Sequence, residues 1–210
     1  MPTIAQHIDE IRNLDVENHT ISGIKKDNWA VLDYPEKNAV QSAIFTNDEI
    51  SLSRANVKAE TDIKTKIMKV LMWGYKMPNG GLQRQYADSI VQNLPVLESV
   101  FAEIKDKNLN AEEIKAAFDR LGTVKGLGAG GISTNSKLFY FFNVSFEGHK
   151  CLILDRVVAE KLNLFDDFAG TEWKPVPECY SNYLSRMDEL SRENNVSPEQ
   201  LELFLFGYQA

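Results

Sequence analysis

The sequence predicts a mainly α fold with one small irregular or β region near its N-terminus. Two observations carry this expectation. Apolar residues recur at steps of three and four through most of the chain, the period of a helix with one buried face. Residues that cap helices also stand before several of these runs, as Asn110 does before "AEEIKAAFDRL" and Ser197 before "PEQLELFLFGY". No internal repeat, low-complexity tract or linker divides the 210 residues. A chain of this length can bury a sizeable core, so the expected organisation is one compact domain over 1–210, with 1–55 as an N-terminal arm or small lobe.

The elements follow in order. Ile4, Ile8, Ile11 and Leu14 mark a short N-terminal helix,. From Asn28 to Leu52, short apolar runs mixed with Pro35, Asn38 and Asn47 read as irregular chain or a few short strands,. Ile63, Ile67, Val70, Leu71 and Trp73 return the helical period, with Gly74 and "PNGG" at 78–81 as its stop,. Pro95 interrupts the next apolar stripe, Ile90 to Ile104, and predicts one kinked helix or two short ones,. "NAEEIKAAFDRL" is a helix with acidic residues in its first turn,. "SKLFYFFNV" is a helix buried on several sides, "KCLILD" a short apolar run, and "DRVVAEKLNL" a capped helix. After a loop rich in Pro and Trp, two helices close the chain, the second with Pro198 at its first position and Gln200 completing a capping box,.

Composition narrows the function classes. The net charge of -7 argues against general charge-driven binding to nucleic acid or anionic membranes,. Any nucleic-acid contact then comes from a local patch, for which Arg84, Lys125, Lys150 and Arg156 are candidates. No apolar stretch reaches the length of about 18 residues that a membrane-spanning helix needs, and "MPTIAQHIDEIRNLD" lacks the regions of a signal peptide,. A cytoplasmic protein without membrane contact is expected. Cys151 and Cys179 share no CxxC spacing and only three histidines are present, so neither a metal site nor a disulfide framework nor any other cofactor is expected.

The segment "VKGLGAGGISTNSKLFYFF" at 124–142 raises the functional question. A helix, a glycine-rich turn and a second helix form the grammar of a helix-hairpin-helix, expected here over 110–165. Gly126, Gly128 and Gly131 open backbone angles closed to other residues and let a phosphate approach. Amides at the start of the following helix, from Ser133, Thr134 and Asn135, then complete an anion site,. No strand leads into these glycines and no GKS/T ending follows, so a nucleotide-cofactor loop is excluded,. Downstream, Lys137 begins an apolar helix and Asp155 follows 18 residues later. Desolvation and the helix dipole would push such an amine toward its neutral, nucleophilic form. A nearby carboxylate would support positive charge on a sugar. Asp155 also reads as the N-cap of "RVVAEKL", a role compatible with catalysis.

Residues 112–162 resemble the helix-hairpin-helix DNA glycosylase superfamily, particularly its 8-oxoguanine branch. There an LxGLG-like hairpin precedes a lysine, an apolar run and an aspartate, as "VKGLGAGGISTNSKLFYFF" and "CLILDRVVAEKL" do here. The resemblance implies a catalytic Asp155. It leaves the family lysine open: the compact family hairpin places it on Asn135, an inserted loop on Lys137, and the two point about 200° apart around a helix. It further implies DNA contacts from Gly126, Gly128, Gly131, Ser133, Thr134, Asn135 and Arg156, and an extruded base stacked on Trp73 and Tyr75. The expected function is a DNA glycosylase acting on duplex DNA with a modified base, 8-oxoguanine being one candidate, with Schiff-base lyase chemistry if Lys137 is the nucleophile. The alternative from another class is a catalytically inactive module with the same fold that binds a protein or nucleic-acid partner, for example in a bacterial defence or phage-related system.

Overall fold

A computed structural model describes residues 1–34, 36–78, 82–127 and 131–209. Helices dominate. The chain opens with a 3-10 turn at Ile4–His7 that leads straight into α1 (Ile8–Arg12). The N-terminal region contains an antiparallel pair, β1 (Thr20–Lys25) and β2 (Glu49–Ser53), in register Thr20↔Ser53 and Lys25↔Glu49, but of the 28–52 stretch expected to be irregular or stranded only the end is strand and its middle is helical. Between them run α2 (Lys26–Ala30) and α3 (Lys37–Ile44). Gly23, at φ +74°, sits in the bulge between Ile21 and Ile24.

Next come α4 (Arg54–Lys58) and α5 (Ile63–Tyr75), the latter capped by the Asp62 side chain on the Thr65 amide. Gly74 does not stop α5, which runs through it and ends at Lys76 in the left-handed region (φ 53°). Pro95 resolves the following stripe into two helices, α6 (Arg84–Gln92) and α7 (Leu94–Ile104), because proline is accepted in a first turn whose amides lack helical partners,. A strand pair too short to form a layer, β3 (Asn108–Leu109) parallel to β4 (Ser145–Phe146), joins β5 (His149–Lys150).

Helix α8 (Ala111–Leu121) is capped by Asn110, whose side chain accepts from the Glu112 and Glu113 amides. The hairpin turns after it, and α9 (Ile132–Phe141) follows. Helix α9 is the axis of the molecule: every residue in it except Ser133 is buried, so it carries side chains to a core on all sides rather than along one stripe. Phe139 and Phe141, each contributing roughly 1.5–3 kcal/mol on burial, meet Phe101, Phe118 and Trp73 on α7, α8 and α5. Then come α10 (Arg156–Leu162), α11 (Pro177–Asn194) and α12 (Pro198–Gly207). The apolar core is continuous from Ile4 to Leu205. Among the described residues no helix is long and apolar enough to cross a membrane.

Candidate active site

The hairpin is closed by backbone contact. Gly126 adopts φ +97°, and a Cβ there would lie 2.8 Å from the Tyr86 Cβ. A Cβ on Gly131 would lie 2.5 Å from the Gly126 carbonyl oxygen, so only glycine lets the two arms of the turn come this close,. Asn135 locks the same turn by donating from its amide to the Leu127 carbonyl at 2.8 Å. Gly128, proposed as a phosphate contact, lies outside the described residues.

One and two turns deep into α9, the side chains change role. Thr134 shares a 2.6 Å hydrogen bond with the Tyr75 hydroxyl. Lys137 runs beside α5 and places Nζ 2.9 Å from Asp155 Oδ2, 3.2 Å from the Ser133 carbonyl and 5.4 Å from the centre of the Tyr75 ring. Gly74 makes this course possible: a Cβ on it would come within 2.8 Å of the Lys137 Cδ. The position that reads as a helix stop is thus a groove for the lysine stem. Asn135 and Lys137 point apart, and it is Lys137 that meets Asp155.

Asp155 divides its two oxygens. Oδ1 accepts the Val158 amide at 3.1 Å and caps α10, while Oδ2 takes Lys137. The chain leading to it, 151–154, is buried, and three side chains hold it. The Tyr180 and Tyr183 hydroxyls donate to the Leu152 and Ile153 carbonyls at 2.9 and 3.0 Å, and Ser136 Oγ accepts the Leu154 amide at 3.1 Å. The aspartate is therefore fixed against α9 by its own lead-in.

The charges are set by the pair. Burial pushes Lys137 toward the neutral amine, but Asp155, joined by Tyr75, outweighs it and holds the ammonium above the usual lysine value. Burial likewise favours the neutral acid at Asp155, and Lys137 together with the Val158 and Val157 amides holds it below the usual carboxylate value. The expected neutral amine is therefore corrected: the closed site holds an ammonium and a carboxylate. Lys137 sits six residues into α9 rather than at its start, beyond the first turn in which the helix dipole acts. Its side chain is 4% exposed and that of Asp155 is 14% exposed.

Other sequence candidates fall elsewhere. Trp73 is buried, edge-on to Phe141 and His19, so it is core rather than an open stacking surface. Thr134 and Asn135 are buried within the hairpin. Arg156 is exposed and pairs with Glu160 one turn on at 3.2 Å. The basic patch is not assembled: Arg84 bonds Asp88 and the Val31 carbonyl, Lys125 bonds Gln85, and Lys150 pairs with Glu199. Among the described residues, no three His, Cys, Asp or Glu side chains converge as metal ligands.

A second buried pair escapes sequence reasoning. Arg54, at the start of α4, grips Glu202 of α12 with both arms of its guanidinium, at 2.7 and 3.2 Å. It also donates to the Tyr140 hydroxyl at 3.2 Å and to His19 Nδ1 at 3.4 Å. Burial, reinforced by Arg54, pushes His19 down to about 4 and keeps it a neutral acceptor. The signal in the sequence is a lone glutamate inside the apolar run "LELFLFGY".

A family model described as "Putative 8-oxoguanine DNA glycosylase OGG-like protein" matches residues 14–206, a span that holds the hairpin, Lys137, Asp155 and both buried pairs. Neither a search of curated proteins nor a search of solved structures finds a match.

Proposed function

The chain belongs to the 8-oxoguanine DNA glycosylase OGG-like family, and on that premise we propose that it excises a damaged or modified base, an oxidised purine foremost, from duplex DNA. The observation that carries this reading is a single lysine held 2.9 Å from a single aspartate, in the second turn of the helix that follows a glycine hairpin. In this reading the hairpin amides grip a backbone phosphate, and the target nucleotide is extruded so that C1′ reaches Lys137. Lys137 passes a proton to Asp155 Oδ2, and its lone pair attacks C1′. The bond from C1′ to the base breaks, and the base leaves with the electron pair and takes up a proton. The nitrogen then expels the ring oxygen, which is protonated, and the Schiff base forms. Asp155, neutral while it holds the lysine's proton, gives it to the departing base and, a carboxylate again, faces the positive charge left on the aminated sugar. With water in place of Lys137, the same aspartate supports base removal without strand cleavage.

The near-complete burial of Lys137 sets a condition: side chains packed around it, among them Tyr75 at 5.4 Å, must move before a nucleotide reaches it. That burial, with a net charge of -7, also favours a second reading, a catalytically silent member that binds a partner through its surface. Borohydride trapping on labelled duplexes carrying 8-oxoguanine, uracil or alkylated bases separates the two. A covalent adduct on one lesion that disappears in Lys137→Ala supports the bifunctional enzyme. Base release without an adduct supports the water-using enzyme. Neither adduct nor release on any duplex leaves the binding module.

A further inference from the structure

At the end of α9 remote from the hairpin lies a second basic site that the glycosylase reading does not use. Helix α4, the start of α5, the turn after α7 and the end of α9 enclose a cleft of about 420 Å³ whose lining includes Lys58, Lys66, Lys105 and Lys150 over a floor of Tyr140 and Phe142. The lining sets four lysines against two carboxylates, Glu60 and Asp106, a local excess of positive charge in a chain whose net charge is -7.

The neighbouring carboxylates do not neutralise them evenly. Glu199 serves Lys150 at 2.6 Å and Lys58 at 3.3 Å, and Lys58 also reaches Glu17. Glu60, which lines the cleft, is engaged by Lys69 at 2.7 Å. Asp106, also in the lining, accepts the Asn143 amide at 3.0 Å. Among the described residues, Lys66 and Lys105 have no carboxylate within ion-pair distance. Lys66 is half-buried, donates to the Lys58 carbonyl at 2.9 Å and stands 5.3 Å from the centre of the Phe142 ring. Burial first, and then the charges of Lys105 and Lys69, hold its ammonium below the usual lysine value against the pull of Asp106 and Glu60. A half-desolvated cation short of its counter-charge is stabilised by an incoming anion.

The backbone wall is unusual at the same place. Asp106 and Asn143, at φ 60° and 54°, both occupy the left-handed region, and the Asp106 amide donates to the Phe142 carbonyl at 3.0 Å. Two non-glycine residues held side by side in this sparsely populated region mark a wall fixed by its surroundings.

We propose that this cleft binds a small phosphate-bearing anion of about mononucleotide size, with the phosphate between Lys66 and Lys105 and with Lys58 and Lys150 at the rim. The volume suits such a ligand,. The phosphate has two possible sources, a free nucleotide and a DNA strand. The length of α9, about 15 Å for ten residues, separates the cleft from the hairpin and favours the free nucleotide.

Isothermal titration calorimetry at fixed ionic strength tests the site with three probes: inorganic phosphate, dGMP and a short unmodified duplex. The proteins are the full chain, Lys66→Gln, Lys105→Gln, Lys66→Arg and, as control, Lys115→Gln on the exposed face of α8. We expect phosphate and dGMP to bind, with affinity about tenfold lower in each glutamine variant, the ordinary loss for one charge-assisted hydrogen bond. Binding should be retained in Lys66→Arg and Lys115→Gln. Thermal melts establish that each variant is folded. Duplex binding with the same variant pattern, in place of dGMP binding, keeps the phosphate site and assigns the strand as its source. Absence of binding by all three probes, or affinities that Lys66→Gln and Lys105→Gln leave unchanged, overturns the proposal.

Discussion

Arg54–Glu202 and Lys137–Asp155 are both cation–carboxylate pairs in the interior of one helical core, and α9 touches both through residues three apart, Lys137 and Tyr140. They differ in what is left over once the pair is made. Arg54 spends its donors on Glu202, Tyr140 and His19, its planar group lies 5.1–5.3 Å from the Tyr140 and Trp73 rings, and neither partner is more than 1% exposed. A guanidinium keeps its proton at any ordinary pH, so this pair can hold α4 to α12 but cannot exchange protons. Lys137 makes one contact to a carboxylate that is still 14% exposed, and an amine can give its proton away. Burial alone therefore does not identify the chemical pair. The proposed role of Lys137–Asp155 rests instead on a releasable proton and an edge that reaches solvent.

The largest effect expected from this contrast is on stability at the first pair. Arg54→Met should lower the unfolding free energy by about 3–5 kcal/mol, because Glu202 is left buried without its partner. Urea denaturation measures it, and adding Glu202→Leu should restore most of the loss. A loss below about 1 kcal/mol would erase the distinction between the pairs. At the second pair the effect should fall on activity. Asp155→Asn should reduce base release at least about 100-fold, with a smaller loss of stability than at Arg54, since asparagine still caps α10 and the buried Lys137 amine, left without its counter-charge, can shed its proton,.

The pH response sharpens the comparison further. His19 has a folded value of about 4, below its ordinary value, so its contribution is present above about pH 6.5 and is lost as pH falls toward 4,. For a half-buried imidazole we expect a loss of about 2 kcal/mol across that window, seen as a falling urea midpoint that His19→Asn flattens. The Lys137–Asp155 pair should be silent there. Asp155 is held low, so its contribution fails only as pH falls below the usual carboxylate value of 3.8; Lys137 is held high, so its contribution fails only as pH rises above the usual lysine value of 10.5.

The smallest effect concerns Gly74. Gly74→Ala forces a methyl against the Lys137 stem, costing about 1–3 kcal/mol of overpacking against roughly 1 kcal/mol of helix propensity gained. The net loss of stability should be about 1 kcal/mol, and activity should fall about tenfold. In a Lys137→Ala background the stability penalty should vanish. If it persists there, the groove is not made for the lysine.

The sequence reveals the local parts of this arrangement well. Asn110, Asp155 and Ser197 cap helices because a capping side chain and its target amide lie within three residues, inside the reach of local reading. The hairpin glycines Gly126 and Gly131 are legible for the same reason, and the 18-residue spacing brings Lys137 to Asp155 because the β4–β5 hairpin turns the chain back onto α9 between them. What eludes local reading is long-range. Ser53 pairs with Thr20, Arg54 with Glu202 and Tyr183 with Ile153, and no periodicity encodes those partners. Gly74 looks like a stop and Trp73 like a surface for an extruded base because the helix that packs on them lies some sixty residues away.

The shared aspartate also makes the first turn of α10 an indicator of the site. Since one carboxylate oxygen accepts the Val158 amide while the other holds the Lys137 ammonium, taking a proton onto Asp155 or withdrawing Lys137 must change the hydrogen bond that starts the helix. The Val158 amide should report that change by its nitrogen chemical shift and its rate of hydrogen exchange. A single backbone probe then follows the charge state of the proposed chemistry without any substrate.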